Sequence, residues 1–255
     1  MSAVRVAVLH APGTNRDDEA ARAFHLAGAT SETVHVLELG RLDGPAAARR
    51  LGEFDAVLVP GGFSYGDALG AGTRLALETG DLLAGVAATG RPVLGICNGF
   101  QVLVRAGLLP GPAGTAQELT LTHNTDGRFV CRWVTLQPPT VSRAALHADA
   151  DGVIACPVAH GEGRIAVADP DLVAHLAANG NVLLRYVEGT NPNGSVDDIA
   201  GLVDDAGTVW GLMPHPEDHV TDAQNAFPDR PGRSGLPLFR SFVALAVERR
   251  RARPH

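Results

Sequence analysis

The chain has 255 residues, 45% of them hydrophobic, and a formal net charge of -7. That supports one domain, or one domain with an elaboration, and the absence of a basic patch excludes nucleic acid as the main partner. Three unevenly spaced cysteines make neither a disulfide framework nor a zinc signature, and neither a signal peptide nor a membrane-length apolar segment stands out, so a cytoplasmic chain is expected.

Val4 to His10 is an apolar run that ends at a Pro-Gly turn and reads as a buried strand. The loop Ala11-Pro12-Gly13-Thr14-Asn15 opens a helix from about Arg16 to Leu26, with Asp17, Asp18 and Glu19 in its first turn. A strand over Thr33 to Leu37, a helix over Pro45 to Leu51 and a strand over Ala56 to Val59 follow. This alternation predicts an α/β fold with an open, mostly parallel, doubly wound sheet, in which ligands bind beyond the carboxyl ends of the strands. Three strand ends carry unusual residues: Pro12 to Asn15, Pro60 to Asp67, and the turn around Cys97. They are expected to converge on one crevice.

Beyond Pro110 the pattern becomes strand-like with little helix: Leu119 to His123, Phe129 to Leu136, Gly152 to Pro157 and Val182 to Tyr186. An antiparallel β elaboration packed against the first sheet is expected. Ile199 to Val203 and Val209 to Met213, joined by Asp204-Asp205-Ala206-Gly207, read as a hairpin. Pro228 to Pro237 reads as a surface loop. A helix from about Leu236 to Glu248 closes a single domain spanning 1–255, with a flexible, solvated tail over about 249–255 that includes Arg249-Arg250-Arg251.

Gly95-Ile96-Cys97-Asn98-Gly99, entered from Pro92-Val93-Leu94 and left through Phe100-Gln101, has the shape of a nucleophile elbow. Glycines two residues before and after the thiol suit a strained strand-to-helix turn where β-carbons would collide. The helix N-terminus favours a thiolate, and adjacent amides can hold an oxyanion. A thiol also needs a base and the base an orienting acceptor, which Met213-Pro214-His215-Pro216-Glu217 supplies. The competing assignments are a core thiol for Cys97 and a histidine in a polar turn for His215. His123 and His160 lack paired metal-ligand spacing, and Pro216 argues against a metal-binding helix joining His215 to His219. No metal site is therefore expected. Pro60 to Asp67 lacks the Gly-Lys-Ser/Thr ending of a phosphate-binding loop, and Cys131 and Cys156 read as core residues.

These motifs resemble the class I, or triad, glutamine amidotransferases, which have a flavodoxin-like fold. The elbow Gly95 to Gln101, the Pro-Gly-Gly-Phe-Ser-Tyr-Gly-Asp loop from Pro60, Ala159 to Arg164, Asn191 to Ser195 and Met213 to Glu217 all stand in the family's order along nearly the whole chain. The resemblance implies that Cys97 attacks the side-chain amide of L-glutamine, His215 moves the protons and Glu217 orients His215. It further implies an oxyanion hole from the amides of Gly62 and Asn98, and substrate contacts from Gln101, Gly161 and Glu162. The middle motifs imply a glutaminase subunit that passes ammonia to a large synthetase subunit, with a small accessory subunit, for ATP-dependent amidation of formylglycinamide ribonucleotide. No cofactor is expected in this chain; ATP and Mg belong to the synthetase. A stand-alone cysteine hydrolase of γ-glutamyl or peptide bonds and a non-catalytic binding module remain alternatives. The chain departs from the family pattern at Arg16, where a cysteine is common, and at Asp218-His219, where Arg commonly follows the glutamate. Neither touches the triad; Asp218-His219 bears on the docking surface or a salt bridge near the mouth, and so on partner contacts more than on catalysis.

Overall fold

The computed structural model describes residues 2–111, 118–146, 152–226 and 233–253. Its parallel part starts with β1 (Arg5–His10), α1 (Asp17–Leu26) and β2 (Thr30–His35), followed by a one-turn helix α2 (Val36–Leu39) and α3 (Gly44–Gly52). Next come β3 (Ala56–Val59), α4 (Thr73–Ala88), β4 (Val93–Ile96) and α5 (Asn98–Arg105). The remaining elements are β5 (Leu119–Thr122), β6 (Val130–Gln137), β7 (Ile154–His160), β8 (Arg164–Val167), α6 (Pro170–Asn179), β9 (Val182–Tyr186), β10 (Ile199–Val203), β11 (Val209–Leu212) and α7 (Leu236–Ala252).

Nine strands form one sheet in the order β2-β1-β3-β4-β11-β10-β9-β6-β7. The first five are mutually parallel and the rest antiparallel. The chain leaves β1 toward one edge and returns through β3 and β4 toward the other. Right-handed crossovers therefore place α1 on one face and α3 and α4 on the opposite one. Phe24 of α1, Phe239 and Phe242 of α7 and Trp210 of β11 interlock by edge-on and tilted ring contacts at 5.2–6.0 Å, forming an aromatic core layer.

The antiparallel elaboration differs from expectation in its placement. Most of its strands do not pack against the first sheet but extend it, because β11 pairs parallel with β4 on one side and antiparallel with β10 on the other. The separate ladder is β5 with β8. Nor is this part poor in helix: α6 carries Asp169 as N-cap, accepting from the Asp171 amide, Pro170 in its first turn and left-handed Gly180 (φ 76°) at its end. The second strand begins three residues earlier than expected, and Val36 and Leu37 belong to α2. The loop expected over 228–237 lies partly outside the described residues; Leu236 and Pro237 open α7.

The C-terminal arginine run is not a solvated tail through residue 253. It forms the last turn of α7, where Arg250 and Arg253 grip Asp55 at 3.1 and 3.3 Å. Arg249 donates to the Ala206 carbonyl at 2.8 Å and Arg250 to the Ser2 carbonyl at 3.0 Å. Cys131 also differs from expectation: it is exposed on β6, whereas Cys156 is buried on β7.

Candidate active site

Four adjacent parallel strands, β1, β3, β4 and β11, deliver their carboxyl-terminal loops to the same end of the sheet. Asn15 donates to the Gly61 carbonyl at 3.3 Å and Phe63 to the Gly13 carbonyl at 2.9 Å, so the loops after β1 and β3 form a single pad. Gly61 through Phe63 thereby face the end of β4.

Cys97 sits between β4 and α5 at φ 51°, ψ -106°, a conformation that costs a non-glycine residue on the order of 1–3 kcal/mol. The flanking glycines are required by contact. A β-carbon on Gly95 would stand 2.6 Å from the Gly99 carbonyl oxygen, and one on Gly99 only 1.8 Å from the Val59 oxygen. The elbow thus presses α5 directly onto β3. As the first residue of α5, Asn98 has an N–H without an intrahelical acceptor. The hydrogen bonds of Asn15 and Phe63 likewise bypass the Gly62 amide.

β11 ends at Leu212, and the prolines around His215 hold it outside strand pairing at φ -107°, ψ 79°. Its amide donates to the Pro157 carbonyl at 2.8 Å. Glu217 is reached through a three-residue 3-10 turn, Pro216–Asp218, and not through an extended segment. That turn brings Glu217 Oε1 to 2.7 Å from His215 Nδ1, with His215 3% and Glu217 1% exposed. Burial alone would lower the His215 pKa. The charges of Glu217 and of the Cys97 sulfur, with hydrogen bonds to both, outweigh it and hold the imidazole proton well above its ordinary value. The arrangement can carry a thiolate beside an imidazolium.

A cavity of about 200 Å³ opens at the thiol, lined by Gly62, Cys97, Gln101, Gly161 and Glu162, with Phe63 and Phe129 at its mouth, their rings 6.2 Å apart. Five of the eight sequence-derived site residues thus share one pocket. His215 and Glu217 stand buried beside it. Asn98 does not line it; its side chain bonds the Ser64 amide and two lining residues, Asp67 and Gln101. Gln101 donates to the Glu162 carbonyl at 2.7 Å, tying α5 to the loop between β7 and β8.

Asp67 and Asn193, members of motifs read in the sequence, and Asn124, outside them, had no role of their own assigned there. Asp67, at φ 53°, lines the cavity, and burial together with the Glu162 charge raises its pKa against the Asn98 hydrogen bond. Asn124 and Asn193 bracket His160: Nδ1 donates to Asn124 Oδ1 at 3.1 Å, and Asn193 donates to Nε2 at 3.5 Å. His160 is therefore a neutral structural group, its pKa pushed down to about 4, first by burial and then by the His215 charge. Asn193 also donates to the Gly163 carbonyl at 2.9 Å, so the Asn191 to Ser195 motif scaffolds the Ala159 to Arg164 motif. Among the described residues no group of three or more His, Cys, Asp or Glu could hold a metal ion, and no helix is long and apolar enough to cross a membrane.

The two departures from the family pattern meet each other. Arg16 Nε donates to Asp218 Oδ2 at 3.2 Å, while His219 is buried, its Nδ1 donating to the Ala155 carbonyl at 2.6 Å.

Residues 3–245 match the family model described as a CobB/CobQ-like glutamine amidotransferase domain. The phosphoribosylformylglycinamidine synthase subunit PurQ of Treponema denticola is 42% identical over 244 residues, covering 85% of this chain and 88% of the relative. The protein of the same name from Chelativorans sp. is 42% identical over 247 residues, covering 96% and 100%. Among solved structures, a chain of PurLQS from Thermotoga maritima superposes with a TM-score of 0.75 at 33% identity, covering 95% of this chain and 99% of that one.

Proposed function

Since the chain belongs to the CobB/CobQ-like glutamine amidotransferase family, we propose that it is the glutaminase subunit of a phosphoribosylformylglycinamidine synthase, with Cys97, His215 and Glu217 as its catalytic triad. The observation that carries the reading is the buried 2.7 Å His215–Glu217 bond beside a thiol on a strained elbow that opens into a cavity.

The Cys97 thiolate attacks the side-chain amide carbon of L-glutamine. The amides of Gly62 and Asn98 hold the oxyanion, a role in which one donor is worth about 10²–10³ in rate. His215 donates its proton to the leaving nitrogen, so ammonia departs and a γ-glutamyl thioester remains. His215, now neutral, takes a proton from water as it attacks the thioester. Glutamate leaves, and the thiolate–imidazolium pair is restored. Glu217 orients the imidazole and stabilises its charge throughout. Gln101, Gly161 and Glu162 grip the amino acid end of the substrate.

The ammonia passes to a large synthetase subunit, assisted by a small accessory subunit. That partner binds ATP and Mg and converts formylglycinamide ribonucleotide to the amidine in cytoplasmic purine synthesis. The test is glutamine hydrolysis with and without the synthetase, for the wild type and Cys97→Ala. Partner-stimulated turnover is expected, with a loss of about 10³-fold or more in the variant. A variant as active as wild type would overturn the triad. Full activity without the partner would instead favour a stand-alone hydrolase.

A further inference from the structure

The ion pair between Arg16 and Asp218 joins two parts of the site that no chain connection brings together. Arg16 ends the loop whose neighbour Asn15 is bonded to Gly61, beside the Gly62 amide. Asp218 ends the turn that carries Glu217. The two side chains meet at 3.2 Å, 31% and 21% exposed. Arg16 and His215 also crowd the same side of Gly61: a β-carbon there would lie 2.7 Å from His215 Cε1 and 3.4 Å from Arg16 Cγ.

A pair this accessible contributes little to stability. Its position matters more, because Asp218 is a second carboxylate on the turn that already supplies Glu217. The groups facing His215 are the Cys97 sulfur, Glu217 and Asp218 on its own turn, His160 and Cys156 on β7, and Arg16 from the loop before α1. Arg16 is the permanent cation of this set, and Asp67, His123, Arg128 and Glu162 line the cavity on the Cys97 side. Burial and the Glu217 charge raise the Asp218 pKa, and His215 and Arg16 draw it back.

We propose that Arg16 and Asp218 are positioning residues: their ion pair locks the pad formed by the loops after β1 and β3, which bears the oxyanion donor, to the base-bearing turn, and Arg16 offsets the charge of Asp218. Glu217 then remains the one uncompensated carboxylate of that turn acting on His215, beside the Cys97 sulfur. The sign follows from electrostatics. Loss of the Arg16 cation favours protonated forms, so the apparent pKa for thiolate formation rises. Loss of the Asp218 anion lowers it. Loss of both leaves it nearly unchanged.

The experiment rests on the glutaminase reading only in its second part. Alkylation of Cys97 by iodoacetamide in the full chain, followed by mass spectrometry of the Cys97 peptide against pH, needs no glutamine. Arg16→Gln is expected to move the profile up by about half a pH unit and Asp218→Asn down by a similar amount, with the double variant close to wild type. Arg16→Lys restores the charge and the wild-type profile. Glutamine hydrolysis in the presence of the synthetase should show the same opposed shifts in kcat/KM. Shifts of the two single variants in one direction, or no shift, would overturn the proposal. Opposed alkylation shifts in a chain that does not hydrolyse glutamine would leave it standing and sink the glutaminase reading instead.

Discussion

At Gly61 the absence of a side chain has a chemical purpose: the His215 ring occupies the space that a β-carbon would need, at 2.7 Å. Gly61→Ala must push the imidazole away from Cys97 or from Glu217, and a misplacement of about 1 Å costs on the order of 10²-fold in rate. We expect that loss in kcat, with KM little changed, measured by glutamine hydrolysis with the partner present. An unaltered kcat would show that the ring has other room. The thiol, the histidine and the glutamate were legible in the sequence because each sits in a short motif whose flanking glycines or prolines fix its backbone. Asp67 was legible only as the end of the Pro60 to Asp67 loop at the crevice; its own contact depends on positive φ at Tyr65, Asp67 and Leu69 and on a hydrogen bond from Asn98. Asn124 and Asn193 were hidden for a related reason. Each acts on His160 from a different segment, and no local pattern records that contact.

At the scale of elements, the close approach of α5 to β3 is the joint on which the elbow turns. Gly99→Ala places a β-carbon 1.8 Å from the Val59 carbonyl, which neither backbone can yield without separating. A destabilisation of about 3 kcal/mol is expected from such overpacking, read as a lower urea midpoint with an unchanged m-value. A variant as stable as wild type would mean that α5 can lift off the sheet freely. Buried strands such as β3 and β9 were legible to the residue because β3 is apolar throughout and β9 is interrupted only by Arg185. β2 was misplaced because it lies at the sheet edge, with Thr30, Ser31, Glu32 and Thr33 exposed and no apolar signature. α4 has buried Leu75, Thr79, Leu83 and Val86 at helical spacing, but it starts from left-handed Gly72 with no side-chain cap to mark its first turn. α6 did carry the full set of start and stop signals, and its own sequence would have sufficed.

For the molecule as a whole, His160 makes stability depend on pH. Its folded pKa of about 4 lies below the ordinary histidine value of about 6.5. Above about pH 6.5 both folded and unfolded states hold it neutral, and its contribution is complete. As pH falls from 6.5 toward 4 the unfolded chain takes up the proton first, and stability is lost, on the order of 3 kcal/mol by pH 4. Urea unfolding at pH 7.5 and pH 4.5 should show a steeper loss for the wild type than for His160→Gln, in which the titrating group is gone. Equal slopes would place the dependence on the carboxylates instead. The overall architecture was legible as far as the alternation of strand and helix runs, because parallel sheets require it. The placement of the antiparallel strands depends on which edge β11 leaves open, a long-range choice that sequence pattern does not encode.

That pairing of β4 with β11 sets an order of events on the ribosome. The elbow is synthesised in the first half of the chain, while its base arrives only with the strand that bridges the two halves of the sheet. Until β11 slots beside β4, β6, β7, β9 and β10 have no route to the parallel strands, and Cys97 has neither His215 nor a finished cavity. A nascent or prematurely terminated chain therefore carries the thiol without its base. The base follows in the turn just beyond the last strand.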